Sequence, residues 1–199
     1  MSSLALSCRL TKKRATGFSL IELLLVLGVL AILLVAAFVV YPQVSHANRV
    51  NRELSNLSNI QANMRSMFAP VGTAYTKIPS ATATESLNNA RIFPSGMNGG
   101  IYTGSDIKHS WNGGVTLHAT TASHAGLPAG RAFTINYLDV PSQACVDLVT
   151  RASPTFPVIH IYAGGTASAV RVYPDTTSVG TIAQACNQAS TARLQFLSN

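Results

Sequence analysis

The sequence predicts an α+β protein in which one long N-terminal helix packs against a mostly antiparallel β-sheet. Three observations lead to this prediction. Residues 23–41 form an apolar run without a charged side chain, a helical hydrophobic period continues to about residue 68, and the period changes to two from residue 115 onward. With 199 residues, the chain holds one domain of ordinary size beyond any membrane segment, which excludes a large multidomain enzyme.

Basic residues are concentrated at the N-terminus. Four of the 14 Lys and Arg residues lie in the first 17 positions, which contain no acid: Arg9, Lys12, Lys13 and Arg14. The net charge of +7 is therefore largely a property of this leader, which weakens an argument from charge toward nucleic-acid binding. A charged fraction of only 11% excludes an intrinsically disordered chain.

The apolar run is long enough to cross a membrane. As a helix it reaches ~28 Å, close to the ~30 Å thickness of the hydrocarbon core. The basic cluster upstream places the leader in the cytoplasm and sends residues 42–199 across the bilayer. A secretory signal peptide cleaved near Ser45-His46-Ala47 is the alternative. The run is longer than a usual signal-peptide core, and Glu22 interrupts it near its start, so both features count against cleavage there.

Glu22 is a candidate functional residue. An ionisable side chain at the mouth of a membrane helix costs free energy and usually has a partner. No Lys or Arg lies between residues 15 and 48. The nearby cation that remains is the α-amino group that cutting the chain just before Phe18 would create.

The residues around Glu22 carry a resemblance to a known family. From Lys12 to Leu24 the chain reads Lys-Lys-Arg-Ala-Thr-Gly-Phe-Ser-Leu-Ile-Glu-Leu-Leu, which closely resembles the processing signal of type IV prepilins and related pseudopilins. The resemblance implies that a membrane peptidase cuts between Gly17 and Phe18 and methylates the new amino terminus at Phe18. It also implies that Glu22 meets the terminus of a neighbouring subunit when the apolar helices stack into a filament.

The helix is expected to continue from Phe18 to about Phe68, where Pro70-Val71-Gly72 ends it. Pro42 should kink it or leave a local break. Beyond Pro42, apolar residues recur at steps of three and four: Val44, Ala47, Val50, Leu54, Leu57, Ile60, Met64 and Met67. This stripe is expected to cover the head domain, with the charged residues elsewhere on the cylinder: Arg49, Arg52, Glu53 and Arg65.

The remainder of the chain reads as a loop followed by a sheet. Residues 71–114 are rich in Gly, Asn, Ser and Thr and predict a long connection with short structured pieces. Strands are predicted at 115–119, 133–137, 156–162, 169–173 and 193–197, with a hairpin turn at Gly164-Gly165. A short helix is predicted from Pro141-Ser142 to Ala152, with a shared face at Cys145, Leu148, Val149 and Ala152.

The cysteine count depends on the leader. Cys8 lies within it, so removal of the leader leaves Cys145 and Cys186, an even number of the kind that an oxidising compartment favours. A bond between these two would enclose 40 residues and contribute roughly 4 kcal/mol. Such a loop resembles the disulfide-bounded region of type IV pilins, and the context of Cys145 is most similar to type IVb pilins of the PilS kind.

Four segments are expected from the pattern and the resemblance together: a leader at 1–17, a transmembrane or filament-core half-helix at 18–41, an amphipathic half-helix at 42–70 and a globular head at 71–199. Neither catalysis nor metal binding is expected. A structural disulfide accounts for Cys145 better than a nucleophile served by His160 or His118. The spacing of His109, His118 and His124 matches no familiar zinc pattern, and the glycines form no nucleotide-binding signature, so we expect no cofactor.

Together these features predict a structural subunit that polymerises with its own copies into a type IV pilus serving adhesion, aggregation or conjugative contact. The resemblance implies further partners, namely the prepilin peptidase, the assembly ATPase and the inner-membrane platform protein. It also implies a location in the bacterial inner membrane and then in an extracellular fimbrium. Three alternatives stay open: a pseudopilin of type II secretion, a minor pilin and a single-pass membrane-anchored enzyme. Nucleic-acid binding by the dispersed arginines is not expected.

Overall fold

A computed structural model describes residues 17–69, 75–78, 87, 90–97, 107–120, 128–172 and 178–199 of the chain. The chain divides into two compact units, the first ending at Val44 and the second covering Ser45–Asn199. The basic cluster Lys12, Lys13 and Arg14 lies outside the described residues, as do Cys8 and His124. The second unit is called the head below.

Helix α1 comprises Leu20–Phe68. It confirms the predicted helix to within two residues, and it continues through Pro42, so the local break does not occur. In the head, the predicted apolar stripe is confirmed at its centre, where Val50, Leu57 and Ile60 have no exposed surface. The first and last members of the stripe, Val44 and Met67, remain about half exposed.

Five antiparallel strands form one sheet: β1 at Val115–Ala119, β2 at Phe133–Pro141, β3 at Val158–Ala163, β4 at Thr166–Val172 and β5 at Thr191–Ser198. Their order across the sheet is β1-β2-β5-β3-β4, so the last strand of the chain lies in the centre. Because β5 pairs with both β2 and β3, it joins the two hairpins of the head into one sheet.

The period of two decides which face of the sheet is buried. In β5, Ala192, Leu194 and Phe196 are buried, whereas the alternating residues Thr191 and Arg193 are exposed. The buried face turns toward α1, where Gln61 donates a 2.7 Å hydrogen bond to the Ser198 hydroxyl. The core of the head therefore lies between one stripe of α1 and one face of the sheet.

Two more α-helices lie in the described part of the head. Helix α2, Ser142–Ala152, confirms the predicted helix, and Cys145, Leu148, Val149 and Ala152 are all buried on it. Helix α3, Val179–Cys186, was not predicted. Its N-cap is Ser178, whose hydroxyl accepts a hydrogen bond from the Thr181 N–H, and this local signal could have revealed it.

The connection before the sheet contributes more to the core than its composition suggested. Where the structure describes it, it contains the 3₁₀ helices Tyr75–Lys77 and Ser95–Met97, which agree with short structured pieces. Tyr75, Phe93 and Met97 are almost completely buried. The predicted hairpin turn at Gly164-Gly165 is confirmed, and both glycines have positive φ angles, 59° and 83°, that favour residues without a Cβ.

Candidate assembly site

The described part of the first unit is an apolar helix whose side chains are exposed. Its side chains are exposed on all sides: Leu23 by 54%, Leu30 by 48% and Phe38 by 77%. Helix α1 contains an 18-residue window of mean hydropathy 3.3, none of which is buried, so it is long and apolar enough to cross a membrane. Such an apolar surface must be surrounded by lipid or packed against other apolar helices.

Glu22 lies in the first turn of this helix and is exposed. The helix hydrogen bonds begin directly before it, since the Leu23 N–H donates to the Ser19 carbonyl over 3.1 Å. The N-terminus of a helix carries a partial positive charge, so a carboxylate is favourable in this turn. Within its own chain, no described residue forms a hydrogen bond or ion pair with Glu22, so the carboxylate is available to a partner.

The two residues of the predicted cleavage site are accessible. Phe18 is 81% exposed, and no atom lies within 4 Å of the position that a Cβ on Gly17 would occupy. Both residues precede the first residue of α1. A peptidase could therefore reach this peptide bond without unwinding the helix.

Cys145 and Cys186 form the disulfide that the pilin resemblance implied. The bond joins α2, which carries Cys145, to the last residue of α3, and the two Cα atoms are 5.9 Å apart. Both sulfurs belong to residues without exposed surface. The bond thus ties the C-terminal region of the head to the helix that packs against the sheet.

The prediction that Glu53 lies outside the apolar stripe is wrong, because its side chain is only 1% exposed. Its carboxylate accepts hydrogen bonds from the Ser110 N–H at 2.8 Å, the Ser110 hydroxyl, the Tyr137 hydroxyl at 3.2 Å and the Asn56 amide at 3.2 Å. Four donors compensate for the lost hydration of the carboxylate. A helical period alone could not reveal this, because three of the four donors belong to Ser110 and Tyr137, far along the chain.

His109 stands beside this carboxylate and fixes the same turn. Its ring stacks on Tyr137 with centroids 5.3 Å apart and an angle of 8° between the planes. Its Nε2 lies 2.6 Å from the Leu138 carbonyl, and its Nδ1 accepts from the Trp111 N–H at 3.2 Å, which together define a neutral ring protonated at Nε2. Gly113 closes the turn because a Cβ there would collide with the Leu138 carbonyl and the His109 ring.

These residues have structural roles, and no catalytic arrangement accompanies them. Burial raises the pKa of the Tyr137 hydroxyl well above its ordinary value, so it stays a hydrogen-bond donor to Glu53. Among the residues that the structure describes, no three His, Cys, Asp or Glu side chains are grouped as metal ligands. His118 lies on β1, half-exposed, with its Nε2 3.2 Å from the Thr116 hydroxyl, and it does not meet His109.

Comparison with known proteins gives two matching family models. The model described as PilS N terminal matches residues 47–199, and the model described as the prokaryotic N-terminal methylation motif matches residues 12–38. The second match includes Gly17, Phe18 and Glu22. No curated protein matches the chain in sequence.

The solved structures with a similar fold include two type IV pilins. The type IV b pilin from Salmonella typhi is 26% identical with a TM-score of 0.54, and the match covers 73% of this chain and 97% of that one. TcpA, a type IV pilin from Vibrio cholerae El Tor biotype, is 15% identical with a TM-score of 0.51, covering 76% and 99%. The second likeness concerns the fold alone.

An exposed apolar helix, an α+β head with a C-terminal disulfide and a methylation motif define a type IV pilin, which is a structural subunit and not an enzyme. The chain belongs to the PilS N-terminal family and is a type IVb prepilin. It polymerises with other pilin subunits. The helix fits a membrane-anchored precursor.

Replacement of Glu53 should destabilise the head. In Glu53→Ala, the hydroxyl of Tyr137 and both donors of Ser110 lose their acceptor inside the protein, so we expect the free energy of unfolding to fall by about 3 kcal/mol. Urea denaturation of the wild type and the variant measures this difference in the free energy of unfolding. Glu53→Gln keeps one acceptor oxygen and should lose less, and the exposed Arg52→Ala is the control. Equal stability of Glu53→Ala and Arg52→Ala would contradict the role of the carboxylate.

The stability of the head should decrease in mild acid because of His109. Burial lowers the pKa of His109 below its ordinary value of 6.5, so the unfolded chain binds a proton at a pH where the folded one does not. The contribution of His109 is therefore present above pH 6.5 and is lost as the pH falls through the folded pKa. We expect the free energy of unfolding to decline less from neutral to acidic pH in His109→Gln than in the wild type. The half-exposed His118→Gln is the control and should show the same decline as the wild type. An unchanged decline in His109→Gln would refute this assignment.

Proposed function

We propose that the chain is made with a leader of residues 1–17 and that a prepilin peptidase cuts between Gly17 and Phe18. Phe18 then becomes the methylated amino terminus of the mature subunit. The match to the methylation motif over residues 12–38 supports this, as does the accessibility of both residues. Removal of the leader also removes the basic cluster, which would otherwise hold that end of the helix on the cytoplasmic side.

We further propose that the mature subunit polymerises through the half-helix 18–41. The single observation that carries the proposal is the apolar surface of this helix, which is exposed among the described residues. Exchange of lipid for similarly apolar helices gains little by hydrophobicity, so close packing and specific contacts decide the balance. Residues 42–70 then serve as the amphipathic half of α1, and 71–199 form the globular surface of the fibre.

Glu22 supplies the specific contact. Its carboxylate accepts the Phe18 ammonium of a neighbouring subunit in the apolar filament core. At ~4 Å and an effective dielectric constant of 20, such a pair gains about 4 kcal/mol before desolvation is subtracted. Desolvation removes much of this gain, so the contact acts mainly on register: a subunit in a shifted register would bury both charges without partners.

The remaining partners follow from this assembly. An ATPase and an inner-membrane platform protein extract subunits from the bilayer. They are needed because the exchange of lipid for neighbouring helices releases too little free energy to drive extraction by itself. The product is an extracellular fimbrium, with the disulfide-bonded heads outward, that serves adhesion, aggregation or conjugative contact. The PilS family membership and the likeness to the type IV b pilin from Salmonella typhi support this reading.

The cleavage site is tested on mature protein purified from producing cells. We expect mass spectrometry to show a chain that starts at Phe18 and carries one additional methyl group. Gly17→Val should prevent cleavage and leave the full-length prepilin, since the peptidase must accommodate this residue. Gly28→Ala is the control, because Gly28 also has no neighbour within 4 Å of a Cβ and lies inside α1. A mature chain that begins at Met1 or Asn48 would contradict the proposal.

The role of Glu22 is tested by separating processing from assembly. Glu22→Ala should be cut normally, yet the amount of sheared fibre should fall at least about tenfold, because the neighbouring ammonium loses its partner in the filament core. The control is Ser19→Ala, which lies beside the same helix end without a charge. Quantified immunoblots of sheared fibre and of the cellular pool provide both measurements. Wild-type fibre from Glu22→Ala would remove the role assigned to the carboxylate.

A further inference from the structure

Three arginines surround the part of α1 with which the head begins. Arg49 and Arg52 are exposed on the helix itself. Arg151, at the end of α2, donates a 2.9 Å hydrogen bond from Nη1 to Oδ1 of Asn51, which places its guanidinium against the same stretch of α1. We call Arg49, Arg52 and Arg151 the arginine collar.

Among the described residues around the collar, positive charge exceeds negative charge. No Asp or Glu occurs between Glu22 and Glu53, and the carboxylate of Glu53 is turned into the core, where Ser110 and Tyr137 bind it. Asp147 lies one turn before Arg151 on α2, but its carboxylate pairs with His46 at 3.5 Å. None of the three guanidiniums forms an ion pair in the part of the chain that the structure describes.

The position of the collar along the chain matches the headgroup layer of a bilayer. Arg49 follows Tyr41, the last residue of the apolar run, by eight residues, which is ~12 Å of helix. The headgroup region extends ~5–8 Å beyond the hydrocarbon. Arginine side chains lean toward the helix N-terminus and extend their charged ends toward the interface. Arg49 and Arg52 follow the apolar run closely enough in sequence for their guanidiniums to reach anionic headgroups.

The spread of the three arginines around α1 favours binding to several headgroups over binding to a single carboxylate. At about 100° per residue, Arg49 and Arg52 are about 60° apart around the helix, and Asn51, which binds Arg151, lies about 100° further. The collar therefore covers nearly half of the circumference of α1. One carboxylate of a protein partner would meet one side of this arc, whereas headgroups surround a helix that leaves the bilayer.

We propose that the arginine collar binds the anionic phospholipid headgroups of the leaflet from which the head emerges. The inference rests on the proposed membrane residence of the unassembled subunit. The positive-inside rule predicts few cations close to a membrane segment on the translocated side, so three arginines grouped there favour an anionic partner. Phosphate oxygens match the bidentate geometry of guanidinium groups. The contact retains the subunit pool in the membrane and must be broken at extraction.

The test is lipid selection by the full-length prepilin in mixed micelles containing equal amounts of phosphatidylglycerol and phosphatidylethanolamine. Native mass spectrometry counts the lipids that remain bound. Each arginine near an anionic surface contributes about fivefold, so we expect phosphatidylglycerol to be enriched by tenfold or more. The triple variant R49Q/R52Q/R151Q should lose this enrichment. R49K/R52K/R151K should retain most of it, because the charge is kept.

The matched control is R91Q/K108Q/R193Q, which removes the same number of charges from exposed positions elsewhere on the head. It should retain the enrichment. Equal loss in both glutamine variants would overturn the proposal, because it would show an effect of net charge alone. Where R49Q/R52Q/R151Q fails to fold, R49Q/R52Q keeps the bond between Arg151 and Asn51 and should still lose most of the enrichment.

The remaining outcomes separate this inference from the proposed function. A wild-type chain that inserts into vesicles but selects no anionic lipid would overturn the collar proposal and leave the prepilin assignment in place. A collar variant with unchanged lipid selection but without fibres would also overturn it, since the arginines would then contact an acidic site on a neighbouring subunit. A chain that does not insert into vesicles at all would contradict the membrane residence itself.

Discussion

The structure depends on one constraint: the two halves of a single helix require different surroundings. The first half needs an apolar environment, and the second packs on one side against the head. From Leu23 to Tyr41, α1 is apolar, and its described side chains are exposed. From Val50 onward it offers one stripe to the core of the head and keeps Arg52 and Arg65 exposed. Water cannot solvate the first part, so it must lie in lipid or among identical helices. The anchored precursor and the fibre are the two ways to meet this requirement.

The head contains a buried charge, the carboxylate of Glu53, which needs hydrogen-bond donors to keep the fold stable. Glu53 lies on the buried side of α1, and its carboxylate is held by a turn that ends at Gly113 and by Tyr137 on β2. This arrangement ties the connection before the sheet to the helix through hydrogen bonds that only one geometry satisfies. Because Glu53 is buried, its carboxylate forms no ion pair with Arg49 or Arg52 among the described residues.

The disulfide and the central strand organise the C-terminal part of the head. β5 is the last strand of the chain, yet it lies between β2 and β3, and Gln61 and Arg65 of α1 bind its final residues. The bond between Cys145 and Cys186 then ties α3 to α2. Since the sheet is complete only when its last strand has been inserted, the head cannot be assembled from its N-terminal elements alone.

Local chemistry in the sequence was sufficient for the helix, the strands, α2, the Gly164-Gly165 turn and the motif from Lys12 to Leu24, because each is encoded by residues close together in the chain. Tertiary structure alone decided the burial of Glu53, the core positions of Tyr75 and Phe93, and the central place of β5. The partners of these residues lie far away in the sequence: 57 residues separate Glu53 from Ser110, and 84 separate it from Tyr137. A periodic pattern reports which side of an element is apolar, but not which distant donor will meet a carboxylate placed there.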